Sequence, residues 1–246
     1  MSNNKVRMTI MMILVEKIKQ LLGHKKLMGL AKLSVLYYLV FFLLELREGK
    51  LNIIEVALDR RIPFCEYFIL PYLLWFPYVA GCVIWLCLAR DKEEEYLKLI
   101  RSLIVGMVVF VLFSLLYPNG QVLRPALAGE NIFERLVIGL YRVDTPTNIF
   151  PSLHVFNSIV CCIAVCRNCE GERFRLLRAG TILLTLSIIL ATMFLKQHST
   201  LDVLGAILLN MLCYRHYYEQ EFLFRPGTDI QGVQRFRKVY RIREKG

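Results

Sequence analysis

Charged residues divide this chain into six apolar segments. A helix that crosses a lipid bilayer needs roughly 20 predominantly apolar residues, or somewhat fewer where flanking Lys and Arg side chains reach the interface. The spacing therefore predicts an all-α, polytopic membrane protein with a bundle of six transmembrane helices. The segments cover approximately Leu30–Leu46, Tyr67–Ala89, Ser102–Tyr117, Leu153–Cys166, Ala179–Leu195 and Leu201–Tyr218.

The composition agrees with a chain that uses the bilayer as its solvent. Hydrophobic residues make up 56% of the sequence and the mean hydropathy is +0.48, which is too apolar for an ordinary soluble domain. We predict a basic cytoplasmic N-terminal segment (1–29) that forms an amphipathic helix, a six-helix transmembrane domain (30–218) and a basic cytoplasmic tail (219–246). Met8–Val15 is apolar, but charged rather than small residues follow it, so no cleavable signal peptide is expected.

The Lys and Arg residues between the apolar segments predict the orientation. Twenty-two of them lie on the side that holds both termini and 8 lie on the opposite side. Because positive charge accumulates in cytoplasmic loops, we expect a multi-pass protein of the cell membrane with both termini in the cytoplasm.

Two other function classes are disfavoured by the sequence. The net charge of +11 comes from the loops and tail assigned to the cytoplasm, where it can meet anionic lipid, and no nucleic-acid-binding motif accompanies it. Cys166 and Cys169 have CxxC spacing, but no second pair or nearby His completes a zinc site. We expect no nucleic acid, metal or cofactor, and the pattern does not specify an oligomer.

Polar residues gather in two segments that this topology places on the outer face, Pro118–Ser152 and Lys196–Leu201. An antiparallel bundle would bring them together. In the second segment, His198 precedes Asp202 by four residues. At helical spacing the carboxylate could orient the imidazole and leave its other nitrogen as a nucleophile or base. A plain salt bridge at a helix end explains the pair equally well.

The first segment ends in the sequence FPSLHV. Pro151 and Ser152 are typical of a helix start, where free backbone amides favour an anion, and His154 would lie beside them as a proton donor or acceptor. An ordinary cap with an interfacial histidine is the simpler explanation. Arg124, followed by Pro125, could hold two phosphate oxygens, although positive charge is also common at the headgroup level. The combination on one face indicates a phosphate site.

These residues resemble the type 2 phosphatidic acid phosphatase superfamily, the lipid phosphate phosphatases. The matching signatures are Arg124-Pro125, Pro151-Ser152-Leu153-His154, and His198 with Asp202. FPSLHV and the relaxed first signature are most similar to the branch that contains inositol phosphorylceramide synthases. The resemblance covers roughly 117–205 and includes the six-helix layout.

The resemblance implies a metal-independent lipid phosphatase that acts through a phosphohistidine, with a membrane lipid phosphate as its substrate. His198 would be the nucleophile, Asp202 would orient it, and His154 would be the general acid. The phosphate oxygens would be bound by Arg124, Ser152 and Lys196.

Two departures from the family pattern leave other functions open. Tyr117 stands where the first signature has Lys, and Thr192 stands where the third has Arg. The chain could instead be a phospholipid headgroup phosphotransferase or a catalytically weak lipid-binding or scaffold relative. Asp144 and Asn148, which flank the second signature, are expected to form turns.

Overall fold

A computed structural model of the chain describes residues 25–47, 49–89 and 91–219. The chain divides into two compact units, Met1–Asn210 and Met211–Gly246. The second unit is described only over 211–219, which comprises the last turn of a helix and the π-helical turn Arg215–Glu219. The predicted N-terminal helix lies mostly, and the basic tail almost entirely, outside the described residues.

The described residues form eight α-helices and one pair of two-residue strands. Two short 3-10 turns, Glu66–Phe68 and Glu172–Phe174, lead directly into two of the helices. In chain order the elements are α1 (Lys25–Glu45), β1 (Asn52–Ile53), α2 (Ala57–Arg61), α3 (Ile69–Leu88), α4 (Glu93–Leu116), β2 (Asn119–Gly120), α5 (Ile132–Val143), α6 (Leu153–Asn168), α7 (Arg175–Phe194) and α8 (Thr200–Tyr214).

Each of the six predicted apolar segments coincides with a helix. Three helices are long and apolar enough to cross a membrane, Glu66–Leu88, Glu93–Leu116 and Glu172–Phe194. The helix α6 is apolar but has only 16 residues, and α8 has 15. The predicted helical architecture is therefore confirmed, whereas six spans remain a prediction.

The prediction for the third segment is wrong at its start. We expected a loop up to Arg101, but α4 already begins at Glu93. Its first turn contains Glu93, Glu94 and Glu95, and negative charge is favourable at the positive end of a helix dipole. These glutamates interrupt the apolar segment and were therefore assigned to a loop, but they belong to the helix.

The segment between α4 and α6 contains an element that the sequence analysis missed. The helix α5 is strongly amphipathic, so its charged residues interrupt every apolar run. Asn131 caps it by accepting a hydrogen bond from the Glu134 amide at 2.9 Å. Nearby, β1 pairs with β2 in parallel, with Asn52 opposite Asn119, and this joins the connection after α1 to the end of α4.

The helix α6 is the centre of the bundle in the first unit. It packs against α3, α4 and α7, and its residues Val155, Phe156 and Cys161 are fully buried. The start of α3 meets the end of α7, where the Cys65 amide donates to the Phe194 carbonyl, and the end of α4 meets the start of α6, where the rings of Phe113 and Phe150 lie 4.4 Å apart. The outward faces are apolar, with exposed Leu side chains along α1, α3, α4 and α7.

The opposite end of the bundle is joined by charged side chains. Lys98 is buried and its ammonium lies 3.0 Å from the Glu95 carboxylate, which also lies 3.5 Å from Arg167 of α6. Lys92 donates to the side-chain oxygen of Asn168 at 2.9 Å. These contacts link the start of α4 to the end of α6.

Gly106 allows α4 and α6 to approach each other closely. A Cβ at this position would lie 2.4 Å from the buried ring of Phe156, closer than carbon atoms can pack. We expect Gly106→Ala to lower the free energy of unfolding by about 1–3 kcal/mol, as overpacking of a core does. Gly81→Ala is the control, because a Cβ there meets nothing within 4 Å. Thermal unfolding in detergent measures both, and equal melting temperatures would contradict the close packing.

Candidate functional site

Polar residues from distant parts of the sequence meet at the end of the bundle where α6 begins. The hairpin between α7 and α8 brings His198 to within 5.7 Å of the His154 ring, measured between ring centroids. The Ser152 amide donates to the main-chain carbonyl of Asp202 at 3.2 Å, which ties the two signature segments together through the backbone. The predicted proximity of these segments is thus confirmed.

The hairpin has a specific local conformation. Lys196 has a φ of 54°, in the left-handed region, and this reverses the chain after α7. The amides of Gln197 and His198 then both donate to the Thr192 carbonyl, at 2.9 and 3.0 Å. Because α8 begins only at Thr200, His198 lies in the turn and not on the helix.

Asp202 is fully buried and its Oδ2 atom has two neighbours. It accepts a hydrogen bond from the Ser199 amide at 2.8 Å, as the third residue of a helix does when it caps the start of that helix. The Nδ1 atom of His198 lies 3.4 Å from the same oxygen. This is within ion-pair range but longer than an ordinary hydrogen bond, and such contacts in active sites often tighten only when substrate binds. The Nε2 atom of His198, on the other side of the ring, has no hydrogen-bond partner among the described residues.

His154 lies on the first turn of α6 within an aromatic wall. Its ring centroid is 4.4 Å from that of Trp75 and 4.6 Å from that of Tyr72. Ser152 is the N-cap of α6, with its hydroxyl accepting from the Val155 amide at 3.4 Å, so the predicted start of this helix is confirmed. The Tyr72 hydroxyl donates to Asp144 at 2.6 Å, which places a carboxylate behind this wall.

Arg124 is half-buried and joins the α4–α5 connection to the histidine hairpin. Its guanidinium donates to the carbonyls of Tyr141 and Asp144, at 3.2 and 2.6 Å, and to the side-chain oxygen of Gln197. It also lies 4.3 Å above the Tyr141 ring. Burial lowers the pKa of Arg124, but a guanidinium remains charged in a protein. Arg124 therefore contributes a fixed positive charge beside Gln197, the residue that precedes His198.

Several buried donors around the two histidines have no hydrogen-bond partner among the described residues. They are the Nε atom of Arg124, the Nε2 atom of Gln197 and the indole nitrogen of Trp75. Since Arg124 can only donate, it fixes the Gln197 oxygen towards itself and leaves the amide hydrogens free. Buried donors are nearly always satisfied in folded proteins, so a group of unpaired donors is typical of a place where an acceptor binds.

The resemblance predicts that Lys196 binds the phosphate, but its side chain makes other contacts in the structure. Its ammonium donates to the main-chain carbonyls of Asp59 and Ile62, and it is largely buried there. Burial lowers the pKa of Lys196, although the charge of Asp59 opposes this effect. The ammonium thus holds the hairpin in place. Both of its hydrogen bonds go to the segment before α3 and neither goes to a histidine.

Thr192 and Tyr117 stand at the two positions where the resemblance would place a cation. Thr192 is fully buried; its hydroxyl donates to the Ile189 carbonyl at 2.7 Å, and its carbonyl holds the hairpin. Tyr117 is 44% exposed at the end of α4. Neither residue brings a positive charge to the hairpin.

Sequence reasoning missed several residues of the site. Asp144 was expected to form a turn, and it does end α5, but its carboxylate also holds Tyr72. Asn148, with a φ of 51°, is in a turn as predicted, and its amide donates to Glu45. Tyr72 lies inside an apolar segment and no motif marks it, and Gln197 carries no signal except its place beside His198.

Asp59 is a further residue that no motif marks. It is 2% exposed, and its carboxylate accepts hydrogen bonds from Ser199 and Thr200 next to His198. Burial alone would raise the pKa of Asp59, but these hydrogen bonds outweigh it and hold the pKa below its ordinary value. Asp59 is therefore ionised at neutral pH.

Comparisons with models of protein families, with characterised proteins and with solved structures find no match to this chain.

Proposed function

We propose that this chain is an integral-membrane, metal-independent lipid phosphate phosphatase that acts through a phosphohistidine intermediate. The observation that carries the proposal is the pairing of His198 with buried Asp202, 5.7 Å from a second histidine, with Arg124 bound to the side chain of the preceding residue, Gln197. A nucleophile, its orienting carboxylate, a proton donor and an anion-binding group are the parts that such a reaction needs.

In the first step, the Nε2 atom of His198 attacks the phosphorus of the lipid phosphate. A P–N bond forms as the bond from phosphorus to the lipid oxygen breaks. Protonated His154 gives its proton to the departing oxygen, and Asp202 stabilises the positive charge that develops on His198. The unpaired donors of Arg124 and Gln197 bind the non-bridging oxygens.

In the second step, water replaces the lipid alcohol on the same side of the site. The neutral ring of His154 takes a proton from the water molecule as its oxygen attacks phosphorus. The P–N bond breaks, and the electron pair returns to His198. Phosphate leaves, and both histidines recover the protonation states in which they began.

Headgroup transfer between lipids is the second candidate, and the charge of the site favours it. Arg124 supplies a cation through its bond to Gln197, which precedes His198, and uncharged residues occupy both positions, 117 and 192, at which the family has a cation. A phosphodiester carries one negative charge whereas a phosphate monoester carries up to two, so a site with one adjacent cation suits the diester. The phosphoenzyme would then be resolved by a lipid hydroxyl instead of water.

The proposal is tested by phosphate release in detergent from phosphatidate, lysophosphatidate, phosphatidylglycerophosphate and a polyprenyl diphosphate. We expect release from at least one substrate to persist in excess EDTA and to stop with vanadate, which mimics phosphate in transfer. Release that EDTA abolishes would contradict the metal-independent mechanism.

The two enzymatic candidates and a non-enzymatic lipid-binding role differ in products. If the panel yields no phosphate, the protein is incubated with phosphatidylinositol and ceramide, and lipids are separated by chromatography. A new phospholipid that vanadate suppresses supports transfer. The absence of both products would support a lipid-binding protein and overturn both enzymatic proposals.

A further inference from the structure

A short segment before α3 forms hydrogen bonds with the hairpin that carries His198. The segment runs from Val56 to Ile62 and includes α2. Within it, the Asp59 carboxylate accepts a hydrogen bond from the Ser199 hydroxyl at 2.7 Å and two from Thr200, whose amide and hydroxyl lie at 2.7 and 2.5 Å. The Val56 amide also donates to it, at 2.8 Å.

The same segment holds the hairpin on the other side of His198. The Lys196 ammonium donates to the Asp59 carbonyl at 2.7 Å and to the Ile62 carbonyl. The segment thus fixes Lys196 before His198 and Ser199 and Thr200 after it, across separations of 134 to 141 residues in sequence. His198 itself lies in an irregular turn, so helical hydrogen bonds do not fix its position.

We propose that Asp59 is a positioning residue for His198, which it holds in line for attack on the lipid phosphate by fixing the backbone on either side of it. The proposal rests on the proposed function in that His198 is taken to be the nucleophile. Asp59 contacts neither substrate nor the histidine, and it acts through Ser199, Thr200 and Lys196.

The chemistry of the contact explains why an aspartate is needed. Both carboxylate oxygens accept hydrogen bonds, whereas an asparagine has only one accepting oxygen. In Asp59→Asn, one orientation of the amide sets an N–H group against the Thr200 amide and the other sets it against the Val56 amide, and neither of these can accept a hydrogen bond. The hairpin or the segment that holds it would have to shift, and a displacement of about 1 Å at a reacting group can cost roughly 100-fold in rate.

The position of His198 can be measured without turnover. Diethyl pyrocarbonate modifies accessible neutral imidazoles, and mass spectrometry of the digested protein gives a separate rate for each histidine. The His198 side chain is 9% exposed. We expect Asp59→Asn to accelerate modification of His198 at least about fivefold, as local opening of the hairpin exposes the ring, and to leave the rate at His154 unchanged.

The kinetic expectation is a loss in kcat of about 10- to 100-fold with KM changed less than about twofold, because Arg124 and Ser152, which bind phosphate oxygens, lie outside the hairpin. Asp91→Asn is the matched control, since Asp91 is exposed and lies at the other end of the bundle. It should change neither the modification rates nor kcat.

The outcomes separate this proposal from the proposed function. Unchanged modification of His198 in a folded Asp59→Asn protein, or equal acceleration at both histidines, would overturn the positioning role. If Asp59→Asn does not fold, Thr200→Val removes one donor to Asp59 and should raise the His198 rate alone. An inactive wild-type protein contradicts only the proposed function, because the modification rates still report on the position of His198.

Discussion

His198→Ala is expected to reduce phosphate release by at least about 1,000-fold, because the variant lacks the nucleophile that carries the phosphoenzyme. Asp202 keeps its hydrogen bond from the Ser199 amide, so the protein should insert and unfold as the wild type does. Incubation of the wild type with a labelled lipid phosphate, followed by rapid denaturation at alkaline pH, should trap an acid-labile phosphate on the peptide that contains His198. The variant should trap none.

The matched control is His216→Ala, which removes a histidine from the turn Arg215–Glu219 of the second unit. It should keep wild-type activity and wild-type trapping. A His198→Ala protein that releases phosphate at more than about a tenth of the wild-type rate would refute the nucleophile assignment. If trapped phosphate is found at His154 instead, the two histidines exchange roles.

His154→Gln is expected to lower kcat for a lipid phosphate by about 100- to 10,000-fold, which is the usual contribution of a general acid. The loss should depend on the leaving group. A lipid alkoxide needs a proton as it departs, whereas p-nitrophenolate does not. With p-nitrophenyl phosphate as substrate, we therefore expect phosphohistidine formation to slow less than about tenfold.

Single-turnover measurements isolate this first step, because His154 also activates water in the second. Trp75→Phe serves as the control for the aromatic wall, since it keeps an aromatic ring at the position that lies 4.4 Å from His154 and leaves the acid in place. It should slow both substrates by the same modest factor. An equal loss on both substrates in His154→Gln would mean that His154 binds or orients the substrate and does not protonate the leaving group.

The positions of the long helices could be predicted from the sequence, but several of their bounds could not. A search for charge-poor segments finds the apolar centre of each helix, because burial in lipid or protein demands it. It failed at the start of α4, where Glu93 to Glu95 favour the helix dipole, and at α5, where charges repeat with the helical period. The strand pair is two residues long and leaves no pattern.

Contacts between neighbours in sequence were predictable in the site, while those between distant residues were not. The spacing of His198 and Asp202 and the cap at Ser152 follow from local rules. Spacing alone does not link Asp59 to Thr200, 141 residues away, or Tyr72 to Asp144. The direction of Lys196 depends on its left-handed backbone, which the sequence does not reveal for a non-glycine residue.

The charged contacts between α4 and α6 make the two ends of the bundle respond differently to ionic strength. Glu95 is partly exposed to solvent, so added salt screens its attraction to Lys98 and Arg167. Asp59 is shielded, and the contacts at the histidine end are short hydrogen bonds that salt hardly weakens. The geometry of the histidine pair should therefore depend less on ionic strength than the charged contacts between α4 and α6 do.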